Sequence, residues 1–108
     1  MNDKYILDGK TPVPVGDITE WGRWFETADR KVGDDTVGDA RVSTVVLGLD
    51  HNFGVGRPLL FETMIFGGER DQEQERYSTW EEAEARHKEI VEELKSPKKV
   101  APKSLKKK

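Results

Sequence analysis

Three side chains of this 108-residue chain could carry acid–base or metal chemistry: His51, Glu62 and His87. Two histidines and a carboxylate would make a metal triad or an acid–base dyad if the fold brought them together. No HExxH or HxxxH spacing sets both histidines on one helix face, so only tertiary structure could assemble such a site. We therefore keep these residues as candidate catalytic groups and predict no metal and no cofactor.

Structural roles explain the same residues more simply. His51 lies in a loop where Asp50 and Asn52 can bond their own backbone. His87 falls on the apolar stripe of a predicted helix, where a lone histidine is usually a core residue with one hydrogen-bond partner. Glu62 stands in the apolar segment PLLFETMIF, where a carboxylate must find a cation or face water. Its predicted partners are the arginines Arg41, Arg57 and Arg76.

The loop glycines do not form a phosphate cradle. Gly54-Val55-Gly56 lacks the third glycine of the dinucleotide fingerprint and precedes a strand, whereas that fingerprint opens a helix. The Walker A lysine is missing as well. We instead retain the polar and aromatic residues of this region as candidate contacts of a ligand or partner: Asp50, Asn52, Phe53, Arg57, Arg76 and Tyr77.

The composition describes an acidic body with a basic tail. The net charge of −3 divides into +7 on residues 95–108 and −10 on the remaining 94 residues. The chain has no cysteine, no apolar run near the roughly 20 residues that span a bilayer, and no apolar leader at its start. We expect a cytoplasmic protein with no membrane association and a single domain over residues 1–94.

Residues 95–108 carry seven lysines and no acid, arginine or aromatic residue. Such a segment cannot bury enough apolar surface to fold, so we predict a disordered lysine-rich tail. Its cations could attract nucleic acid only weakly and non-specifically, because base readout and stacking need arginine and aromatic side chains. Neutralising the acidic body, or remaining solvated without a role, are the alternatives, and the last is the simplest.

Hydrophobic spacing predicts two helices, over Asp17–Val32 and Trp80–Leu94. Asp17 is the predicted N-cap of the first, and Ser78 or Thr79 that of the second, each with a glutamate three residues on. In both helices the apolar residues recur at spacings of three and four, which gathers them on one buried face.

Strands are predicted where β-branched and aromatic residues cluster: Val42–Leu49, Leu59–Phe66 and Gln74–Ser78. Tyr5–Val15 is predicted as a short strand, a turn at Asp8-Gly9 and an extended proline segment at or outside the sheet edge. The stretch Gly33–Asp39 is predicted as a polar loop. This order of elements indicates an α+β fold, a small and mainly antiparallel sheet of three to four strands packed with two helices.

The second of these strands has no plainly polar face. Leu59, Phe61, Thr63 and Ile65 point one way, and Leu60, Glu62, Met64 and Phe66 point the other. Either helices cover both sides of the sheet, or one face is an association surface.

Four strings resemble, in order, a family of short uncharacterised proteins from bacteriophages and bacterial genomes: WGRWFETADRKV, RVSTVVLGLDHNFG, PLLFETMIFGG and ERYSTWEEAEARH. They cover most of residues 21–87. The resemblance implies a phage or prophage origin and action in a host cell, and it brings no catalytic residue with it.

Two functional hypotheses follow. The first is a small non-catalytic phage accessory protein that binds a host or phage protein, with counter-defence as one such role, through an apolar sheet face or an acidic surface. The second is a small enzyme or ligand-binding domain in which His51, Glu62, Arg76 and His87 converge in a pocket. A homodimer joined through the sheet face is compatible with the first.

Overall fold

The computed structural model, which describes residues 3–96, contains two antiparallel sheets and two helices. This confirms the predicted α+β class. Residues 97–108, most of the predicted tail, lie outside the described part of the chain, and Lys95 is the last residue of the second helix. The elements are β1 (Tyr5–Asp8), β2 (Thr11–Pro14), α1 (Ile18–Thr27), β3 (Lys31–Val37), β4 (Ala40–Val46), β5 (Phe61–Phe66), β6 (Gln74–Tyr77) and α2 (Trp80–Lys95).

The larger sheet is an antiparallel meander in the order β3-β4-β5-β6. Its register is fixed by pairs such as Thr44 with Thr63 and Glu62 with Arg76. A two-residue turn joins β3 to β4, with Gly38 at φ +58° in its first central position, a conformation that glycine adopts without strain. All four strands can therefore form from contiguous chain, without a crossover.

The N-terminal hairpin of β1 and β2 makes a separate two-stranded sheet. Pro12 and Pro14 lie in β2, which has only β1 as a neighbour, so their missing N–H groups break no inner ladder. A bridge between Lys4 and Leu49 joins this hairpin to the end of β4. The predicted extended proline segment outside the main sheet is confirmed.

The prediction for residues 28–39 is wrong. The first helix ends at Thr27, and Lys31–Val37, expected as helix end and polar loop, is strand β3. Glycine and aspartate have low strand propensity, so local sequence disfavours a strand here. Pairing with β4 overrides that preference, and a bulge between Lys31 and Gly33 adjusts the register.

One face of the larger sheet is the core. Residues in β4 and β5 alternate between buried positions and positions that are half-buried or exposed. The inner face consists of Val42, Thr44, Val46, Phe61, Thr63 and Ile65, each at most 2% exposed. The helix α2 packs across all four strands, with Ala83, His87, Ile90 and Val91 buried. A single helix layer thus covers this face.

Both helix starts carry the predicted caps. Asp17 accepts hydrogen bonds from the backbone N–H groups of Thr19 and Glu20. Thr79 and Glu82 form a reciprocal capping box at the start of α2. Satisfying these N–H groups is worth about 1 kcal/mol per cap. The second cap also fixes Glu82, which holds the loop described next.

Candidate functional site

The loop between β4 and β5 is built by two of its own side chains. Asp50 Oδ1 accepts hydrogen bonds from the N–H groups of Asn52 and Leu59, at 2.8 and 3.0 Å, and so closes the base of the loop. Asn52 Oδ1 accepts from Gly54 N, while its Nδ2 donates to the carbonyls of Val55 and Arg57. The predicted bonding of Asp50 and Asn52 to their own backbone is confirmed.

This loop presents two large apolar side chains to solvent. Phe53 is 90% exposed and Val55 is 97% exposed. Gly56, at φ +117°, allows the chain to turn back toward the sheet after Val55. We call residues 50–57 the displayed loop. Apolar side chains held away from the core contribute nothing to folding stability. An ordered loop that exposes them is therefore typical of a recognition surface.

Arg57 ties the displayed loop to helix α2. Its guanidinium lies 3.1 and 3.3 Å from the two carboxylate oxygens of Glu82. The hydrogen bond from Arg57, with further ones from the N–H groups of Ser78 and Thr79, holds the pKa of Glu82 below its usual value. The end of the loop is thereby fixed relative to the start of the helix.

His51 has a local role in the same loop. Its Nδ1 lies 3.0 Å from the carbonyl oxygen of Leu49, and its ring centroid is 6.1 Å from that of Phe53. Neither of these contacts involves a titratable group that could make His51 part of a catalytic pair.

His87 sits at the centre of a polar chain that runs from the exposed Asp35 into the core. Its Nε2 lies 2.7 Å from Asp35 Oδ2, and its Nδ1 lies 2.7 Å from Thr44 Oγ1. A carboxylate only accepts, so Nε2 donates to Asp35, and in the neutral ring Nδ1 then accepts from Thr44. Thr44 Oγ1 is in turn 2.5 Å from Thr63 Oγ1. The predicted core histidine is confirmed, with more than the one partner expected.

The order Asp35, His87, Thr44 follows that of a nucleophilic triad, but the hydroxyl cannot reach a substrate. Thr44 is 0% exposed and Thr63 is 1% exposed, beneath α2. A nucleophile must touch the reacting atom. The arrangement is therefore a structural network that satisfies the polar groups of the core.

Glu62 lies on the other side of the sheet. Its carboxylate is 3.1 Å from Arg76 Nε, one of the predicted partners. In β5 the side chains of Glu62 and Thr63 point to opposite faces, and Thr63 belongs to the His87 network. The alternative in which His87 meets Glu62 is therefore wrong, because the sheet itself separates the two side chains.

Tyr77, another candidate contact, belongs to an ionic network beside α2. Its hydroxyl donates to Glu75 at 3.2 Å, and burial raises the pKa of Tyr77 to about 12. Arg86 binds Glu75 through two nitrogens at 2.8 and 3.0 Å and also contacts Glu93, which in turn pairs with Arg70. These contacts fasten β6 and the preceding turn to the helix.

Two features of the described residues bear on metal and small-ligand binding. Within residues 3–96, no three His, Asp or Glu side chains gather as a metal ion would need. A depression bordered by Thr63, Arg70, Gln74 and Ile90 measures about 160 Å³ including space open to solvent, below the roughly 300 Å³ at which ligand pockets begin. Neither helix of this part of the chain combines the length and apolar character that crossing a bilayer demands.

Comparisons with protein-family models, with curated proteins and with solved structures give no match to this chain.

Of the predicted site residues, the structure brings together Asp50, His51, Asn52, Phe53 and Arg57 in the displayed loop. It pairs Glu62 with Arg76 and places His87 and Tyr77 in separate networks. The sequence-based prediction does not include Val55. Its position between two glycines is nevertheless a signal of exposure, because glycine offers no side chain for it to pack against. Asp35 and Thr44 were also missed as partners of His87. Asp35 lies in a stretch predicted as a loop, and Thr44 lies 43 positions from His87 in the sequence, so no local pattern indicates either contact.

Proposed function

We propose that this protein is a non-catalytic binding protein that docks the displayed loop into an apolar cleft of a partner protein. The observation that carries the proposal is the exposure of Phe53 and Val55 on a loop held by side-chain hydrogen bonds. The resemblance to bacteriophage proteins supports a host or phage protein as the partner, and counter-defence is one role that suits such a protein.

The magnitudes favour this loop as an anchor. Burying a side chain the size of Phe or Val contributes about 1.5 to 3 kcal/mol each. A flexible loop would lose much of that gain to ordering on binding. Here Asp50 and Asn52 fix the loop before binding, and Arg57 is bound to Glu82. The loop is therefore preorganised.

The experiment is affinity capture from bacterial lysate by the tagged full chain, quantified by mass spectrometry. The test variant is Phe53→Ser with Val55→Ser, and the matched control is Ile18→Ser, which removes another exposed apolar side chain, 65% exposed, from α1. We expect one protein at near-stoichiometric yield with the wild type and the control, and its loss with the loop variant. Equal capture by all three forms, or capture of no protein, would contradict the proposal.

A second variant separates the apolar contact from the loop's rigidity. Asn52→Ala keeps Phe53 and Val55 but removes the hydrogen bonds to Gly54, Val55 and Arg57. We expect weaker binding of the captured partner, by about tenfold, because the loop must then be ordered on binding. Calorimetric titration of the purified pair measures this difference.

A further inference from the structure

The second face of the larger sheet is open. We call it the open face; its residues are Lys31, Asp34, Thr36, Arg41, Ser43, Val45, Glu62, Met64, Phe66, Gln74 and Arg76. None of them is buried, in contrast to the inner-face residues of β4 and β5. Apolar groups lie in the middle of this face, with Val45 on β4 and Met64 and Phe66 on β5, and Phe66 is 41% exposed.

The open face differs in charge from the rest of the protein. Its cations are Lys31, Arg41 and Arg76 and its anions are Asp34 and Glu62, a formal +1. Residues 3–96 together carry −9, because six of the lysines lie in residues 97–108. The remainder of the described chain therefore carries −10. Two copies should repel each other where their acidic surfaces meet. They should not repel each other in this way where their open faces meet, because the open face is not acidic.

Four of the five charges of the open face are paired within the chain. Arg41 binds Asp34 through two nitrogens, at 2.9 and 2.7 Å, and Arg76 binds Glu62. Paired charges thus lie on both sides of the central apolar residues, so two copies can bring these residues together without setting an unpaired arginine or carboxylate against the partner. Arg41 lies 5.9 Å from the Phe66 ring centroid, and Phe66 is 41% exposed.

From these observations we propose that the open face joins two copies of this chain into a two-fold symmetric dimer, with the sheets packed face to face. The observations that carry it are the exposed Phe66 and the mixed charge of this face on an acidic body. It does not rest on the displayed loop. A dimer would nevertheless carry two such loops, which Arg57 ties to the α2 side of each sheet.

The size of the face sets the expected affinity. Four strands about 4.8 Å apart and six residues of about 3.3 Å each give a patch of about 20 by 20 Å. Its area is below the roughly 800 Å² per partner of a standard interface. We therefore expect a dissociation constant on the order of micromolar.

Sedimentation velocity of the full chain from about 1 µM to about 300 µM tests the proposal. We expect the mass to double over this range for the wild type and for the control Val55→Asp, and Phe66→Asp to weaken association by at least about tenfold. A monomer at every concentration overturns the dimer. Association that Phe66→Asp leaves unchanged, or that Val55→Asp abolishes, overturns its assignment to this face.

Because the chain has no cysteine, a cysteine introduced at a chosen position allows a second test, by cross-linking. Ser43, at the centre of the open face opposite Met64, is replaced as Ser43→Cys, with Thr19→Cys on the exposed side of α1 as control. Sheets packed face to face lie about 10 Å apart, which is farther than a disulfide spans. We therefore expect a bis-maleimide of about that length to cross-link Ser43→Cys into a covalent dimer at micromolar concentration and to leave Thr19→Cys mainly monomeric. Equal cross-linking of the two would contradict the face-to-face arrangement. Thermal unfolding of each variant confirms that it is folded.

Discussion

The imidazole of His87 lies where a side chain on residue 33 would begin. A Cβ built on Gly33 would be 2.7 Å from His87 Nε2 and 2.8 Å from both neighbouring ring carbons. Glycine is thus required in β3 at the position where α2 crosses this edge strand. The close approach lets the ring reach both Asp35 on β3 and Thr44 on β4.

Gly33→Ala should destabilise the protein by about 1 to 3 kcal/mol, because the new methyl group overpacks the histidine ring. Urea denaturation measures the free energy of unfolding. The control is Gly22→Ala in α1, where a Cβ meets no atom within 4 Å and alanine favours the helix by about 0.5 to 1 kcal/mol. The two substitutions should act in opposite directions. A stabilising Gly33→Ala would show that the ring does not occupy this space.

Thr44→Val should cost about 1 to 3 kcal/mol although it keeps the side chain's shape. The hydroxyl joins His87 Nδ1 to Thr63 Oγ1, and its removal leaves both buried groups short of a partner. Thr36→Val, at an exposed position of β3, is the control and should change stability by less than about 0.5 kcal/mol. Similar effects at the two sites would argue against the buried network.

The ion pairs of Arg86 should make stability fall in acid. Hydrogen bonding to Arg86 is the largest effect on Glu75 and lowers its pKa below 4.5; burial would raise that of Glu93, but Arg86 and Arg70 lower it overall. The unfolded chain therefore takes up protons first as the pH falls. The contribution of these ion pairs to stability should be constant above about pH 5.5 and fall below about pH 4.5.

Arg86→Met should reduce stability near neutral pH and flatten this acid limb, since the two carboxylates lose the groups that depress their pKa values. Arg23→Met, on the exposed side of α1, should leave the limb unchanged. Denaturant midpoints measured between about pH 3 and pH 7 compare the three proteins. An acid limb of undiminished slope in Arg86→Met would exclude this network as its source.

The indole N–H groups of Trp21 and Trp80 should contribute differently to the free energy of unfolding. Trp21 Nε1 donates to the carbonyl of Gly48 at 2.9 Å, whereas the buried Nε1 of Trp80 has no acceptor among residues 3–96. Replacing each by phenylalanine keeps an aromatic ring and removes the N–H. We expect Trp21→Phe to cost about 1 kcal/mol more than Trp80→Phe. Thermal or urea unfolding decides this, and the reverse order would contradict the assigned hydrogen bond.

Much of the fold follows from local patterns. The caps at Asp17 and Thr79, the strand character of β4 and β5 and the apolar stripe of α2 depend on residues a few positions apart, and all are as predicted. The side-chain bonds of Asp50 and Asn52 also span fewer than ten residues. Such short-range preferences can be predicted from sequence because residues close along the chain meet in almost any conformation.

Other features were decided by tertiary structure. Gly33–Val37 is a strand because β4 supplies its hydrogen bonds, against its own propensity. His87 meets Asp35 across 52 positions, while Glu62 is kept from His87 by the sheet between them. The sequence by itself determined which groups could bond and which residues should be apolar. Only the packing of α2 on one face decided which partners met, and left Phe66 and the displayed loop in solvent.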